Sequence, residues 1–313
     1  MSIEIEERLA KIPVVNHLVQ LLKNIKLPGF EGLSIYDLAE MYFIGIIKGA
    51  LTNRASAISY SFFMALFPFL LFILNLIPYV PIEGFQEDFI VFIESLLPPQ
   101  TAMFFDSIIK DIVSNQRGGL LSSVFFLSIL LMANGINAIF GGFETSYHSV
   151  STRNMVKQYF VAVGVAMLMA IVFLVSVIGY IAYEFYIGHL INDLGASASG
   201  GMFGLGDTLG IRFGKFFFFV VITLVTTAML YYFGTAEGKQ TNFFSPGAVM
   251  STVLIILTTY FFGIYIENFS QYNQLYGSIG ALLILMLYIW LNSNILLLGF
   301  ELNASLRSLR RNF

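Results

Sequence analysis

The chain has 313 residues, 57% of them hydrophobic and only 11% charged, with a formal net charge of −3 at pH 7. Soluble domains carry about 25% charged residues, so there is too little charge to cover a water-facing surface. The mean hydropathy of +0.80 agrees, and the class is a polytopic membrane protein. The absence of cysteine excludes disulfides, thiolate metal sites and cysteine nucleophiles but is silent on compartment.

Residues 1–26 are charged and broken by Pro13, with no continuous apolar core before a small-residue cleavage site, so no signal peptide is expected. Over residues 14–26, Val14, Leu18, Leu21, Leu22 and Ile25 share one helical face. A second amphipathic helix is predicted after Ser34, whose S-x-x-D spacing to Asp37 suits a capping box. Neither is apolar enough to span, and residues 1–54 are expected to lie at the cytoplasmic interface.

The first span is predicted over 55–79. Arg54, Ala57, Ser61, Ala65, Pro68, Phe72 and Asn75 fall on one stripe, where the small residues permit close helix approach. Pro68 should kink this helix and is a candidate hinge, although a static packing kink explains it equally. Residues 82–118 hold six acidic residues against Lys110 and Arg117, and read as an external helical insert of two short amphipathic pieces around Pro98-Pro99.

The second span, 120–143, ends with Asn134, Asn137, Gly141 and Glu144 on one face. The third, 158–187, carries Ala162, Ala166 and Ala170 as a packing seam, and a mobile Gly/Ser/Ala-rich loop is expected over 188–206. Asp207 is a candidate N-cap for the fourth span, 208–233, which ends in Tyr231-Tyr232 at the interface and Gly234 as its C-cap. Ser245-Pro246 is a strong start signal for the fifth, 246–266.

The sixth, 277–302, places Gly277, Ala281, Ile284, Tyr288, Asn292, Ile295, Gly299 and Asn303 on one small, polar face. Asn294 and Glu301 lie roughly opposite, so this helix is expected to be the central post of the bundle, with neighbours most of the way round. Residues 304–313 are left as a cytoplasmic tail. Each span is near the ~20 residues needed to cross the hydrocarbon core.

Six spans put both termini on one side. Twelve of the 16 Lys and Arg fall on that side, and only Lys110, Arg117, Arg212 and Lys215 on the other. The positive-inside rule then places both termini in the cytoplasm. No internal repeat supports an inverted-repeat transporter fold.

No catalytic or metal constellation is visible, and no cofactor is expected. His17, His148 and His189 are isolated, and neither a Walker A nor a G-x-S-x-G pattern occurs. What remains is intramembrane polarity. Arg54, Glu144 and Glu301 are all expected at the cytoplasmic boundary, backed by Asn134, Asn137 and Asn292 deeper in the bundle. Two readings fit: a substrate-headgroup or ion site facing the cytoplasm, or ion pairs and amide hydrogen bonds that lock helices together. Externally, Asn268, Tyr272, Asn273 and Tyr276 form a polar-aromatic segment that an aromatic belt also explains.

Four stretches together resemble the YihY/BrkB family of bacterial inner-membrane proteins, older members of which were labelled ribonuclease BN. They are RASAISYSFFMALFPFLLFILNLIP (Arg54–Pro78), NGINAIFGGFETSYH (Asn134–His148), SPGAV (Ser245–Val249) and YNQLYGSIGALLILMLYIWLNSNILLLGFELNA (Tyr272–Ala304). The likeness covers about residues 40–305. Arg54, Pro68, Asn137, Asn273, Tyr276, Gly277, Gly280, Glu301 and Asn303 match the family's recurrent pattern, which assigns them no roles. The resemblance implies an all-α protein of six transmembrane helices with cytoplasmic termini. It also implies a role in envelope maintenance, as a transporter or lipid-translocating protein that meets membrane lipids, or as a non-transporting scaffold for an envelope partner.

Ribonuclease activity and nucleic-acid partners are not expected. RNA hydrolysis needs metal carboxylates or a general acid–base pair beside a basic surface, and the predicted cytoplasmic loops are short and poor in histidine. The pattern sets no oligomeric state, transported species or energy source.

Overall fold

A computed structural model of the chain describes residues 20–26, 34–37, 50–76, 90, 121–146, 153–195, 204–240, 242–268 and 278–312. These form six long helices: α1 (Ala50–Leu76), α2 (Leu121–Glu144), α3 (Met155–Gly195), α4 (Gly204–Gly234), α5 (Pro246–Asn268) and α6 (Ser278–Asn312). A short 3-10 turn at Gly238–Gln240 joins α4 to α5. Among the described residues, five helices, α2 to α6, are long and apolar enough to cross a membrane. The 27 residues of α1 rise about 40 Å at 1.5 Å per residue. The architecture is all-α and polytopic.

Each helix packs on its neighbours in sequence, and α6 returns to α1, so the six close a ring in chain order. α2 also reaches across to α4 and α6. That makes α2 the central helix. Its membrane-length stretch is 56% buried, whereas that of α6 is 33% buried, with Leu283 and Leu287 exposed. The expectation of α6 as the post therefore fails for its first half. Glycines explain the choice: a Cβ on Gly135 would come within 2.8 Å of the Ala65 Cβ, and one on Gly142 within 2.7 Å of Ile58 Cδ1. Two bare backbone surfaces on one helix let α1 lie directly along it.

Several expected boundaries shift. α3 runs through residues 188–195 and α4 begins at Gly204, so much of the expected 188–206 loop is helical. Asp207 then lies inside α4 rather than at its N-cap. The expected tail is likewise helix as far as Asn312, because Ala304, Ser305 and Leu306 continue the buried face of α6. Residues 304–312 also contain only good or neutral helix formers. α1 continues unbroken through the buried Pro68.

Two start signals hold atom for atom. Ser34 and Asp37 form the reciprocal capping box, with Ser34 N donating to Asp37 Oδ2 at 2.9 Å and Asp37 N to Ser34 Oγ at 3.2 Å. Ser245 Oγ accepts from Ala248 N at 3.3 Å, with Pro246 at the first helical position of α5. The seam Ala162, Ala166 and Ala170 is buried throughout.

Candidate functional site

The predicted charged residues, Arg54, Glu144 and Glu301, lie at the end of the bundle where α2, α4 and the second half of α6 come together. The packing beneath them is aromatic. The rings of Phe143 (α2) and Phe300 (α6) stack at 4.3 Å and 6°, and Tyr231 (α4) lies against both at 5.5 and 6.2 Å. A Cβ on Gly234 would meet Phe143 Cδ2 at 2.6 Å, so the last residue of α4 is seated on that ring. Tyr231 is therefore buried between helices near the end of α4, and its hydroxyl is satisfied by Ser251 Oγ (2.7 Å) and by donation to the Leu296 carbonyl (2.7 Å).

Above this layer Arg54 donates to Glu301 Oε1 at 2.9 Å and to the Gly142 carbonyl at 3.0 Å, while Ser146 Oγ donates to Glu301 Oε2 at 2.6 Å. The two side chains are only 13% and 16% exposed. One guanidinium thus ties α1 to α6 and also closes the C-terminus of α2, where an unpaired carbonyl and the negative end of the helix dipole favour a cation. Thr145 and Ser146 satisfy the neighbouring carbonyls of Gly141 and Phe143.

Glu144 does not join that pair. It accepts from Arg153 N at 3.0 Å, and the Gln158 amide, with its nitrogen turned toward the carboxylate, donates to it at 2.9 and 3.2 Å, at the positive N-terminus of α3. Asn154 caps α3 by accepting from Val156 N at 3.1 Å. Arg153 in turn donates to the Phe233 carbonyl at 2.6 Å and to the Thr235 carbonyl, closing α4 as Arg54 closes α2. Burial holds the Arg153 guanidinium below its ordinary pKa, and Glu144 opposes that shift.

Sequence reasoning joined three charges in one cluster. The structure makes two arginine clamps: Glu144, at the end of α2, turns to the N-terminus of α3, while Glu301, inside α6, takes Arg54. A signal for the second was present: Arg153 lies five residues before the expected third span, followed by Asn154, a residue type that caps helices.

Asn303 is the main group whose role sequence left blank. It is buried, donates to Ser245 Oγ at 2.8 Å and accepts from Gly247 N at 2.9 Å. A side chain of α6 therefore caps the first turn of α5. The approach needs two glycines: a Cβ on Gly247 would overlap the Gly299 carbonyl, and one on Gly299 would overlap Ser251 Oγ. Higher on the same face, Thr259 and Tyr288 join hydroxyls at 2.7 Å. The small, polar face of α6 thus lies on α5, and its opposite face meets α1 through Glu301.

The amides depart from the expected pattern. Asn134 is exposed on α2 and Asn137 partly so, since the face they share points away from α1. Asn292 and Asn294 donate to carbonyls of their own helix, Tyr288 (2.9 Å) and Trp290 (2.7 Å), and Asn292 Oδ1 is buried with no hydrogen-bond partner among the described residues. Asn268 ends α5, and Tyr272, Asn273 and Tyr276 lie outside the described residues, as does the 82–118 insert apart from Ile90. Among the described residues, no group of three or more His, Asp or Glu could hold a metal ion.

A family model described as Virulence factor BrkB matches residues 45–312. The chain is 28% identical over 260 residues to a protein of Bacillus subtilis (strain 168) whose name is ribonuclease-like protein YfkH, covering 83% of this chain and 91% of that one. It is 38% identical over 65 residues to a UPF0761 membrane protein of Xanthomonas oryzae pv. oryzae (strain PXO99A), which is 21% of this chain and 15% of that protein. A UPF0761 membrane protein of Xanthomonas axonopodis pv. citri (strain 306) is similar over the same length and identity. No solved structure matches.

Proposed function

The chain belongs to the virulence factor BrkB family of membrane proteins, and from that premise we propose that it is a transporter or lipid-translocating protein of the bacterial inner membrane. The observation that carries this reading is the polar seam between α5 and α6. It runs from Thr259–Tyr288 through Ser251 and Tyr231 to Ser245–Asn303. Its ends are 14 residues apart on α5, about 21 Å along the axis. Polar groups at hydrocarbon depth are costly, and their recurrence at three levels of one seam supports a polar headgroup or solute as what the seam meets. The distribution of Lys and Arg supports a cytoplasmic position for both termini and for the Arg54 and Arg153 clamps.

A second reading has its own observation. Arg54, Glu301, Glu144 and Arg153 all find partners within the bundle, which supports a static scaffold that presents its external insert, 82–118, to an envelope partner. We read neither form as a nuclease. The ribonuclease-like wording belongs to the Bacillus relative, and this chain's three histidines are far apart in sequence.

The test is reconstitution into liposomes containing fluorescent anionic or neutral phospholipids, or entrapped candidate solutes. Movement that depends on folded protein, and that falls when Ser251 and Thr259 are both replaced by Ala, supports transport. No movement of any probe by folded protein favours the scaffold.

A further inference from the structure

We propose that a pocket between α1, α2 and α3 holds the terminal segment of a membrane-lipid acyl chain. The pocket has a volume of about 130 Å³ and is lined only by aliphatic, aromatic and thioether side chains and one glycine. Each helix contributes a small residue, Ala65, Gly135 and Ala166, and the space they leave is bounded by Phe62, Met132 and Met169. Close packing normally leaves few such voids. Here α1 and α2 touch at Ala65 and Gly135, which keeps larger side chains out of the crossing.

Depth and access choose the occupant. Ala65 lies 11 residues beyond Arg54, about 16 Å along α1. Gly135 lies nine residues before Glu144, about 13 Å along α2. The hydrocarbon core is ~30 Å thick, so charged side chains at one boundary put the pocket near the midplane, where the ends of acyl chains lie. Phe62 is 38% exposed, so the pocket opens to the outside of the bundle. Water finds no polar partner there, and a headgroup finds no charge. The space is close to that of an apolar cavity that admits one small hydrocarbon ring, which suits a few methylenes rather than a whole lipid. The inference needs the bundle to sit in a membrane. It does not need lipid to be moved across, so a filled pocket without translocation sinks the transport reading alone.

The experiment uses the full chain in lipid nanodiscs of phosphatidylcholine and phosphatidylglycerol, doped with phospholipid carrying a diazirine near the chain terminus. After illumination, adducts are mapped by mass spectrometry. Adducts should concentrate several-fold at Met132 of α2 and Met169 of α3 over the exposed Leu168, which neighbours Met169 on α3. Ala166→Leu should deplete them at the two methionines and leave Leu168 unchanged. Phe62→Ala changes a partly exposed residue at the pocket's mouth, and should raise labelling at Met132. Even labelling of Met132, Met169 and Leu168, or labelling that Phe62→Ala does not raise, overturns the proposal. Labelling by a diazirine-bearing benzene but not by the lipid also overturns it, in favour of a small apolar solute.

Discussion

Arg54 and Glu301 are 247 residues apart in the chain, and their side chains meet at 2.9 Å. The pair is mostly buried and each carboxylate oxygen is used, so removing one partner leaves the other charge uncompensated. Arg54→Gln and Glu301→Gln should each destabilise by about 3 kcal/mol. The double substitution should cost less than their sum by about 1–2 kcal/mol. The single tryptophan, Trp290, lies on α6 and reports unfolding by its intrinsic fluorescence. Additive losses would show that the two groups do not act as a pair.

Arginine geometry matters as much as charge at the second clamp. Arg153 donates to two carbonyls at the end of α4, which a lysine ammonium cannot bridge in the same planar fork. Arg153→Lys should therefore lose about 1–2 kcal/mol, read by the same fluorescence transition. A variant as stable as the parent would mean that charge alone suffices there.

Glycines separate into two groups that substitution should tell apart. Alanine at Gly247 or Gly299 forces α5 and α6 apart at a backbone contact, and expression of folded protein should collapse. Alanine at Gly141, Gly164 or Gly263 meets nothing within 4 Å. Those three should be neutral or stabilising by up to about 1 kcal/mol, because glycine is a poor helix former. Size-exclusion profiles in detergent would separate the groups, and equal behaviour would contradict the close crossing.

Asn303 should act as a cap, not as bulk. Asn303→Leu keeps the branched shape but strips Gly247 N and Ser245 Oγ of a partner, at about 2 kcal/mol. Ser245→Ala should cost about 1 kcal/mol. Chemical unfolding of both variants gives the comparison, and Asn303→Leu matching the parent would remove the cap from the account.

The absence of cysteine permits a clean topology test. Cysteine at the exposed Lys239 should react with a membrane-impermeant maleimide in inverted vesicles, whose outer surface is the cytoplasmic face, and not in intact cells. Cysteine at Lys215 should react from the opposite face. Labelling of both from one side would defeat the assignment of orientation.

Local patterning determined the class, the helices and their starts: apolar runs long enough to cross a bilayer, a serine–aspartate capping box, and a Ser-Pro entry into α5. These depend on neighbours within a turn or two, so they can be read along the chain. The polar and small face of α6 was legible for the same reason, as was the pairing potential of Arg54 and Glu301 at one boundary.

Partner choice was decided only by tertiary structure. Glu144 and Glu301 are equally acidic on paper, yet one anchors the N-terminus of α3 and the other takes Arg54, because helix ends present opposite partial charges. The centre of the bundle passed to α2 because Gly135 and Gly142 let α1 close on it, and contact distance between remote backbones is not written in hydropathy. Asn303 acquired its role from the turn it happened to reach 56 residues away.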